Sequence, residues 1–382
     1  MKNWPTIKVA DEFDLQMGKT PARDNPTYWG GDQKWASIAD IARSGMYLSD
    51  TKEAITQEAV SESGIKAVPQ NTLVMSFKLS IGRTAITTSR MYTNEAIMAF
   101  LPHDAIAFDL HFLYHLFSNR NWSEGCNKAV KGVTLNKATL NAARIPKPCI
   151  SEQRAVASTL DMICDLIAKC DEQLVHLDQL VKSRFVEMFG NVHDSVAIGQ
   201  ACVVMNGYAF KSAQYVSDGI RVIRIANVQQ GYMEDPNPEF YPREKEGEIQ
   251  KYMLQENDLL ISLTGNVGRV ALLPKEFLPA GLNQRVGCLR IRSGINLLKS
   301  YLYWALNNQT FECACIESSR GVAQKNMSSE WLKQYLIPIP PLALQREFAA
   351  FVEKVDKLAF AARRRRDVAR QLYRAKIQEF FG

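Results

Sequence analysis

Long apolar runs are absent from this 382-residue chain. No stretch approaches the ~20 residues needed to cross a bilayer, and the opening MKNWPTIKVADEFD has no secretory apolar core. A cytoplasmic protein without a membrane segment is the expectation. Cysteine is sparse: eight in all, none in a CxxC pair, with only one residue between Cys313 and Cys315. That scatter argues against a disulfide frame or zinc site and predicts reduced, buried thiols. Histidine is scarcer, at five. His111 and His115 lie four apart on a predicted helix, a metal-pair spacing. No acidic or cysteine third ligand stands at a supporting distance, so a packing or surface role is expected. Gly18-Lys19-Thr20 mimics the end of a nucleotide-binding loop. However, Phe13 stands where the pattern needs glycine, and Pro21 follows. No GxSxG elbow and no HxE…PCxxC signature occurs. The chain therefore reads as a binder with no catalytic residue and no metal site. Its net charge of +6 points mildly to a polyanion.

What is present is a duplication. Residues 151–190 align with 343–382 at a constant offset of 192, matching Gln153-Arg154 to Gln345-Arg346 and Gly190 to Gly382. Upstream, NTLVMSFKLSIGR (71–83) reappears as NDLLISLTGNVGR (257–269), and RIPKP (144–148) as LIPIP (336–340). Ser37-Ile-Ala-Asp-Ile41 reappears as Arg224-Ile-Ala-Asn-Val228. Small changes of offset mark loop insertions, which tandem folds tolerate. The expected order is a globular domain (1–150), a long helix (151–190), a second domain (191–342) and a second helix (343–382).

The first helix carries apolar residues at Val156, Leu160, Ile163, Ile167, Cys170, Leu174, Leu177 and Val181, alternating steps of four and three. That is a coiled-coil seam. The second has Phe348, Val352, Val355, Ala359, Ala362, Arg366, Ala369 and Tyr373, smaller in the middle and broken by Arg366. The first helix is net −3 and the second net +5. Bulky residues facing alanines, and opposite charge, make the two plausible antiparallel partners. Such pairing would put the domains at opposite ends with pseudo-two-fold symmetry. Arg366 would then meet Asp165, Asp171 or Glu172. Ser151 reads as the N-cap, with Gly190 and Gly382 as stops. A plain stalk or dimerisation arm is the alternative.

Each domain reads as α+β. Trp35-Ala-Ser-Ile and 219–225 look strand-like. Short strands at 71–76 and 258–262 follow, then helical segments at 111–117 and 297–306, and final strands at 143–146 and 334–338. Polar loops carry the positive signal. Lys78, Ser80 and Arg83 flank one glycine turn; Thr264, Asn266 and Arg269 flank its copy. Arginine at such a place serves either base readout or loop bracing. A second loop pair offers Lys131, Asn136 and Lys137, and Arg320, Lys325 and Asn326, chemistry suited to phosphates and base edges. The opening turns add Lys19 and Thr20, and Lys211 and Ser212. Solvated turns are the competing reading.

These residues resemble one family: the specificity subunit of type I restriction–modification systems. GKTP…NPTYWGGDQKWASIADI and GYAFKS…GIRVIRIANVQQG are similar to its domain openings. SIGRTAI and GNVGRVALL are similar to its mid-domain motif, and RGVAQKNMSSEWLKQYLIPIPPLALQREF to its domain-to-helix junction. The chain departs from the family's Glu-Gln helix start in the second copy, which reads Leu344-Gln345 beside Glu152-Gln153 in the first. The resemblance implies two target recognition domains, each reading half of an asymmetric bipartite site on double-stranded DNA. The helices would set the spacer, with Gln153, Arg154, Gln345, Arg346 and Arg366 in the helix or subunit-interface set. It also implies two modification subunits, adenine-N6 methyltransferases, and restriction–translocase subunits as partners. S-adenosylmethionine, ATP and magnesium would sit on those partners, and no cofactor on this chain. In agreement, neither an [DNS]PP[YFW] tetrapeptide nor an FxGxG loop occurs. A methylation-only system, a degenerate enzyme and a peptide-binding adaptor are the rival readings.

Overall fold

The computed structural model describes residues 4–78, 80–122, 135–319 and 326–382. Two compact units emerge, residues 1–171 with 363–382, and residues 172–362. Each therefore contains part of both long helices, Ile150–Phe189 and Leu342–Phe381.

The duplication holds at the level of strand order. In the first unit the main sheet runs Phe13–Met17, Ile97–Pro102, Leu73–Ser76, Thr84–Thr87, with Tyr47–Leu48 added at the edge. In the second it runs Cys202–Asn206, Val286–Ile291, Leu259–Ser262, Val270–Leu272. Register repeats too: Leu73 faces Phe100 and Ile86, and Leu259 faces Leu289 and Leu272. LVMS and LLIS form central strands because all four side chains of each are buried, the mark of a strand covered on both faces. Asn71 and Asn257 open these strands with φ of 57° and 61°, a left-handed turn that asparagine tolerates.

A smaller sheet also repeats. Glu53–Ile55, Trp29–Ala36 and Tyr92–Thr93 in the first unit match Phe240–Tyr241, Ile220–Ile223 and Ala280–Leu282 in the second. The strand-like reading of 35–38 is thus cut short. Ser37 and Asp40 form a capping box that starts the helix Ile38–Ser44. The expected helical segments appear as Leu110–Asn119 and Lys299–Leu306, and the final strands as Arg144–Pro146 and Leu336–Pro338. The helix Gln309–Ser318 was not anticipated.

The seams of the long helices face inward. In the second unit Leu177 and Val181 share a core with Phe348, Val352, Val355, Ala359, Tyr301 and Leu302. Arg184 Nη2 reaches Glu347 Oε1 at 3.0 Å. In the first unit Val156, Leu160 and Phe380 pack with Phe112, Leu113 and Leu116. Arg366 Nη1 lies 3.1 Å from Asp171 Oδ1, one of the three acids anticipated for it.

Ser151 is not the N-cap. The helix begins at Ile150, and the Cys149 carbonyl accepts from Gln153 N at 3.0 Å, which leaves Ser151 inside the first turn. Its hydroxyl lies 3.1 Å from Cys149 Sγ instead. The thiols are not uniformly buried either. Cys170, Cys202, Cys288 and Cys315 are buried, but Cys149 and Cys313 are exposed; the cysteines described are all free. Among the described residues no helix is long and apolar enough to cross a membrane.

Each helix start is keyed to its own unit by a buried glutamine. Gln153 Oε1 accepts from Asp109 N at 2.9 Å, and its Nε2 donates to the carbonyls of Pro148 and Ala107 at 2.9 and 3.2 Å. Gln345 repeats this with Leu298 N, Pro340 O and Asn296 O at 2.8, 2.8 and 3.0 Å.

The first unit adds a lock with no counterpart among the described residues of the second. Asp161 on the central helix accepts from His111 Nδ1 at 2.6 Å and from His115 Nε2 at 2.7 Å. Tyr47 OH then pairs with His111 Nε2 at 2.6 Å, and Tyr373 OH with His115 Nδ1 at 3.1 Å. The acid missing from the sequence spacing comes from a distant helix. Matching Asp109 to Leu298 places Trp304 where His115 stands.

Burial pushes the His115 pKa below the ordinary imidazole value, against the opposing pull of Asp161. A depressed folded pKa means the unfolded chain takes up the proton first as pH falls. The stability is therefore complete above the unfolded value of about 6.5 and is lost progressively below it. Thermal unfolding of the first unit is expected to move to lower temperature between about pH 7.5 and about pH 5. The His115→Gln chain should show a smaller shift over that interval; an equal shift would assign the pH dependence to other groups.

Candidate functional site

Buried serines build the same loop twice. Ser76 N donates to Arg83 O at 2.8 Å, Gly82 N to Ser76 O at 2.9 Å and Arg83 N to Ser76 Oγ at 3.1 Å, while the hydroxyl donates to Ser80 O. Likewise Ser262 N donates to Arg269 O at 2.9 Å, Gly268 N to Ser262 O at 3.0 Å and Arg269 N to Ser262 Oγ at 3.0 Å, while the hydroxyl donates to Asn266 O. Gly82 and Gly268 hold φ of 86° and 82°, where a side chain would be strained. The glycine turns are thus rigid platforms. Ser76 and Ser262 escaped the sequence reading, although both close the repeated apolar run.

Two further ties fix each platform. Phe77 N donates to Ala96 O, and Leu263 N to Arg285 O, each at 3.0 Å. The turns they grip are held by Asn94 Oδ1 and Asn283 Oδ1, which accept from Ala96 N and Arg285 N at 3.1 Å. The opening loops lie against the same turns: Lys19 N donates to Thr93 O at 2.8 Å, and Tyr208 N to Leu282 O at 2.7 Å. A Cβ on Gly18 or Gly207 would sit 2.2 Å from the backbone of Asn94 or Asn283. The glycine of Gly18-Lys19-Thr20 therefore serves close backbone approach.

In the first unit this brings Thr20 and Lys78 near one acid absent from the sequence reading, Glu95. Thr20 Oγ1 donates to Glu95, and that bond, with the charges of Lys78 and Arg23, lowers the Glu95 pKa. Lys19 Nζ reaches Ser63 O at 2.5 Å, and Lys78 Nζ lies 5.2 Å from the Phe77 ring centroid. Ser80 and Arg83 are exposed. Asn136 is committed to capping, since its Oδ1 accepts from Thr139 N at 2.9 Å at the start of the helix Lys137–Ala142. Lys137 is exposed and lines a cleft with Asp14 and Gln16.

In the second unit Thr264 forms an antiparallel bridge with Asn326, which unites two of the proposed loops. Asn266, Asn326, Lys211 and Ser212 are exposed. The Arg269 guanidinium donates through Nη1 to Gln229 Oε1. Neither Arg83 nor Arg269 braces a loop carbonyl with its side chain among the described residues. Lys131, Arg320 and Lys325 lie outside those residues. On the helices Arg154 and Arg346 are exposed, whereas Gln153 and Gln345 are wholly buried in the bonds given above. Among the described residues no trio of His, Cys, Asp or Glu is placed to hold a metal ion. What the two platforms present is a set of amide, hydroxyl and cationic donors on fixed backbone.

A tandem α+β protein with two loop platforms and two long helices is the class that the geometry defines. Residues 1–174 and 194–368 match the type I restriction modification DNA specificity domain, and the chain belongs to that family. It is 30% identical over 192 residues to the MjaIX specificity subunit of Methanocaldococcus jannaschii, a match covering 49% of this chain and 44% of that protein. The MjaVIII specificity subunit of the same organism matches at 21% identity over 98% of this chain and 90% of its own. Among solved structures, the S subunit of a type I restriction–modification system from M. genitalium covers 100% of this chain and 96% of its own. Its TM-score is 0.55 at 14% identity. A chain from a type I R-M system studied for complex assembly and conformational transition gives a TM-score of 0.62 at 16% identity, covering 99% and 97%. At those identities the likeness concerns the fold.

Proposed function

We propose that this chain is the reader of a type I restriction–modification complex, with each unit recognising one half of an asymmetric, bipartite DNA site. The observation that carries this reading is the repeated serine-clamped platform. Its serine hydrogen bonds are the same in both units, while Lys78 and Ser80 in one are replaced by Thr264 and Asn266 in the other. An unchanged scaffold with changed donors suits two readers of different sequences. The long helices, 40 residues each, would extend about 60 Å at 1.5 Å per residue and act as an antiparallel coiled-coil spacer. Their exposed faces would seat two methyltransferase subunits, and restriction–translocase subunits would complete the assembly. Chemistry, with S-adenosylmethionine, ATP and magnesium, belongs to those partners in this reading.

The test is a map of methylated adenines in cells that carry the complete system, with single substitutions in either platform. Changing Lys78 or Ser80 should relax bases in one half-site only, and changing Thr264 or Asn266 should relax only the other. Each lost good base contact is expected to cost about 1–3 kcal/mol. Relaxation of both halves by one substitution would overturn the two-reader scheme.

A further inference from the structure

Arg269 is held by a relay of side chains that the first unit does not possess. Gln229 Nε2 donates to Ala226 O at 2.9 Å and to Glu234 Oε1 at 2.8 Å. Both amide protons are thereby used, and the amide oxygen is left facing Arg269, whose Nη1 donates to it. The guanidinium is fixed through that one nitrogen. Its Nε and Nη2, the side-on fork, make no hydrogen bond among the described residues. The backbone beneath is fixed as well, because Arg269 N donates to Ser262 Oγ at 3.0 Å.

Arg269 lines a cleft of about 500 Å³ together with Asn266, Arg224, Gln229, Glu234 and Asp235 among others. Arg224 contributes a buried Nε without a partner among the described residues. The wall carries two cations, Arg224 and Arg269, against two carboxylates, Glu234 and Asp235, so it holds no net positive charge to favour a phosphate. A neutral group with two adjacent acceptors suits both the fork and a lining of balanced charge. Guanine offers that pair on its major-groove edge, O6 and N7, in the spacing of an arginine fork. In the first unit the aligned motif places Ser37 at the position of Arg224 and Ala42 at that of Gln229. Arg83 has no such relay and is exposed.

We infer that Arg269 reads a guanine in the half-site recognised by the second unit, and that Gln229 and Glu234 are positioning residues that pre-set its fork. This rests on the DNA-reading function proposed above and adds the base, the reader and the relay. Arg83 in the first unit is not part of an equivalent reader.

Methylated-adenine maps from cells with the complete system again supply the readout. In the Arg269→Lys chain, which keeps the charge but loses the fork, one guanine of one half-site should become degenerate. Discrimination at that base pair should fall roughly 5- to 140-fold, and the other half-site should be unchanged. Gln229→Ala should weaken preference at the same base pair and nowhere else. Glu234→Ala, which removes one of the two acceptors that hold the Gln229 amide, should weaken the same preference to a smaller degree. A merely structural Gln229 would give general loss of methylation without a base-specific change. An unaltered motif in Arg269→Lys, or a non-guanine base at the relaxed position, would overturn the inference while leaving the reader function standing; relaxation in both halves would overturn the two-reader scheme and the inference with it. A wild-type chain that directs no sequence motif at all would overturn the reader function, and the inference with it.

Discussion

Replacing Asp258 with alanine is expected to destabilise the second unit by about 3 kcal/mol, the lower end of the cost of breaking a buried ion pair. Asp258 has 4% of its side chain exposed. Its carboxylate takes Arg290 Nε and Nη2 at 2.9 and 2.6 Å and Gln255 N at 2.8 Å. Removing it strands a guanidinium that is itself only 30% exposed and leaves a turn N–H unpaired. The remaining access of Arg290 to water, and its bond to Met253 O at 3.1 Å, keep the cost from the upper end of that range. Because the two units need not melt together, hydrogen exchange resolved on the strands Leu259–Ser262 and Val286–Ile291 is the suitable measurement. A loss below about 1 kcal/mol would mean that Arg290 finds full compensation elsewhere. At the corresponding position the first unit has Thr72, whose backbone N donates to Thr87 Oγ1 at 3.0 Å. The same turn there carries no buried charge, so only the second unit has this vulnerability.

The second large effect is steric and should appear in both units. Alanine at Gly207 would put its Cβ 2.2 Å from the Asn283 carbonyl carbon and 2.4 Å from Leu282 O. Alanine at Gly18 would put it 2.2 Å from both Asn94 O and Thr93 O. These neighbours are backbone and cannot swing aside, so the opening loop must leave the turn that also grips the platform. Overpacking of this kind costs about 1–3 kcal/mol or more. The functional loss should exceed the stability loss, because the loop and the platform separate. Gly207→Ala is expected to abolish recognition of one half-site and Gly18→Ala of the other, with the helical circular dichroism retained. Normal methylation by either variant would show that the opening loop takes no part in reading.

Much of the architecture was legible because it is written locally and twice. The apolar runs LVMS and LLIS, the alternating steps from Val156 to Val181 and the glycines Gly82 and Gly268 each follow from period or from backbone freedom. Duplication lets each of these runs be compared with its copy. The candidate site was legible only in outline. Residues 78–83 and 264–269 were marked by composition, but what holds them was not. Asn136 looked like a contact residue because asparagine serves caps and ligands alike, and only geometry shows its side chain bonded to Thr139 N.

Sequence by itself determined the two α+β repeats, the inward seams of both helices and the family to which the chain belongs. Those properties depend on residue type at short, regular spacing. Tertiary structure alone decided the hydrogen-bonded pairings. Asp161 joins His111 and His115 across about fifty residues, and Gln229 meets Arg269 across forty. Gln345 closes on Leu298 across forty-seven, and Glu95 receives Thr20 across seventy-five. A polar side chain carries no record of its partner in its own neighbourhood. The partner is set when the apolar core brings two distant segments together and leaves each buried donor one acceptor within reach.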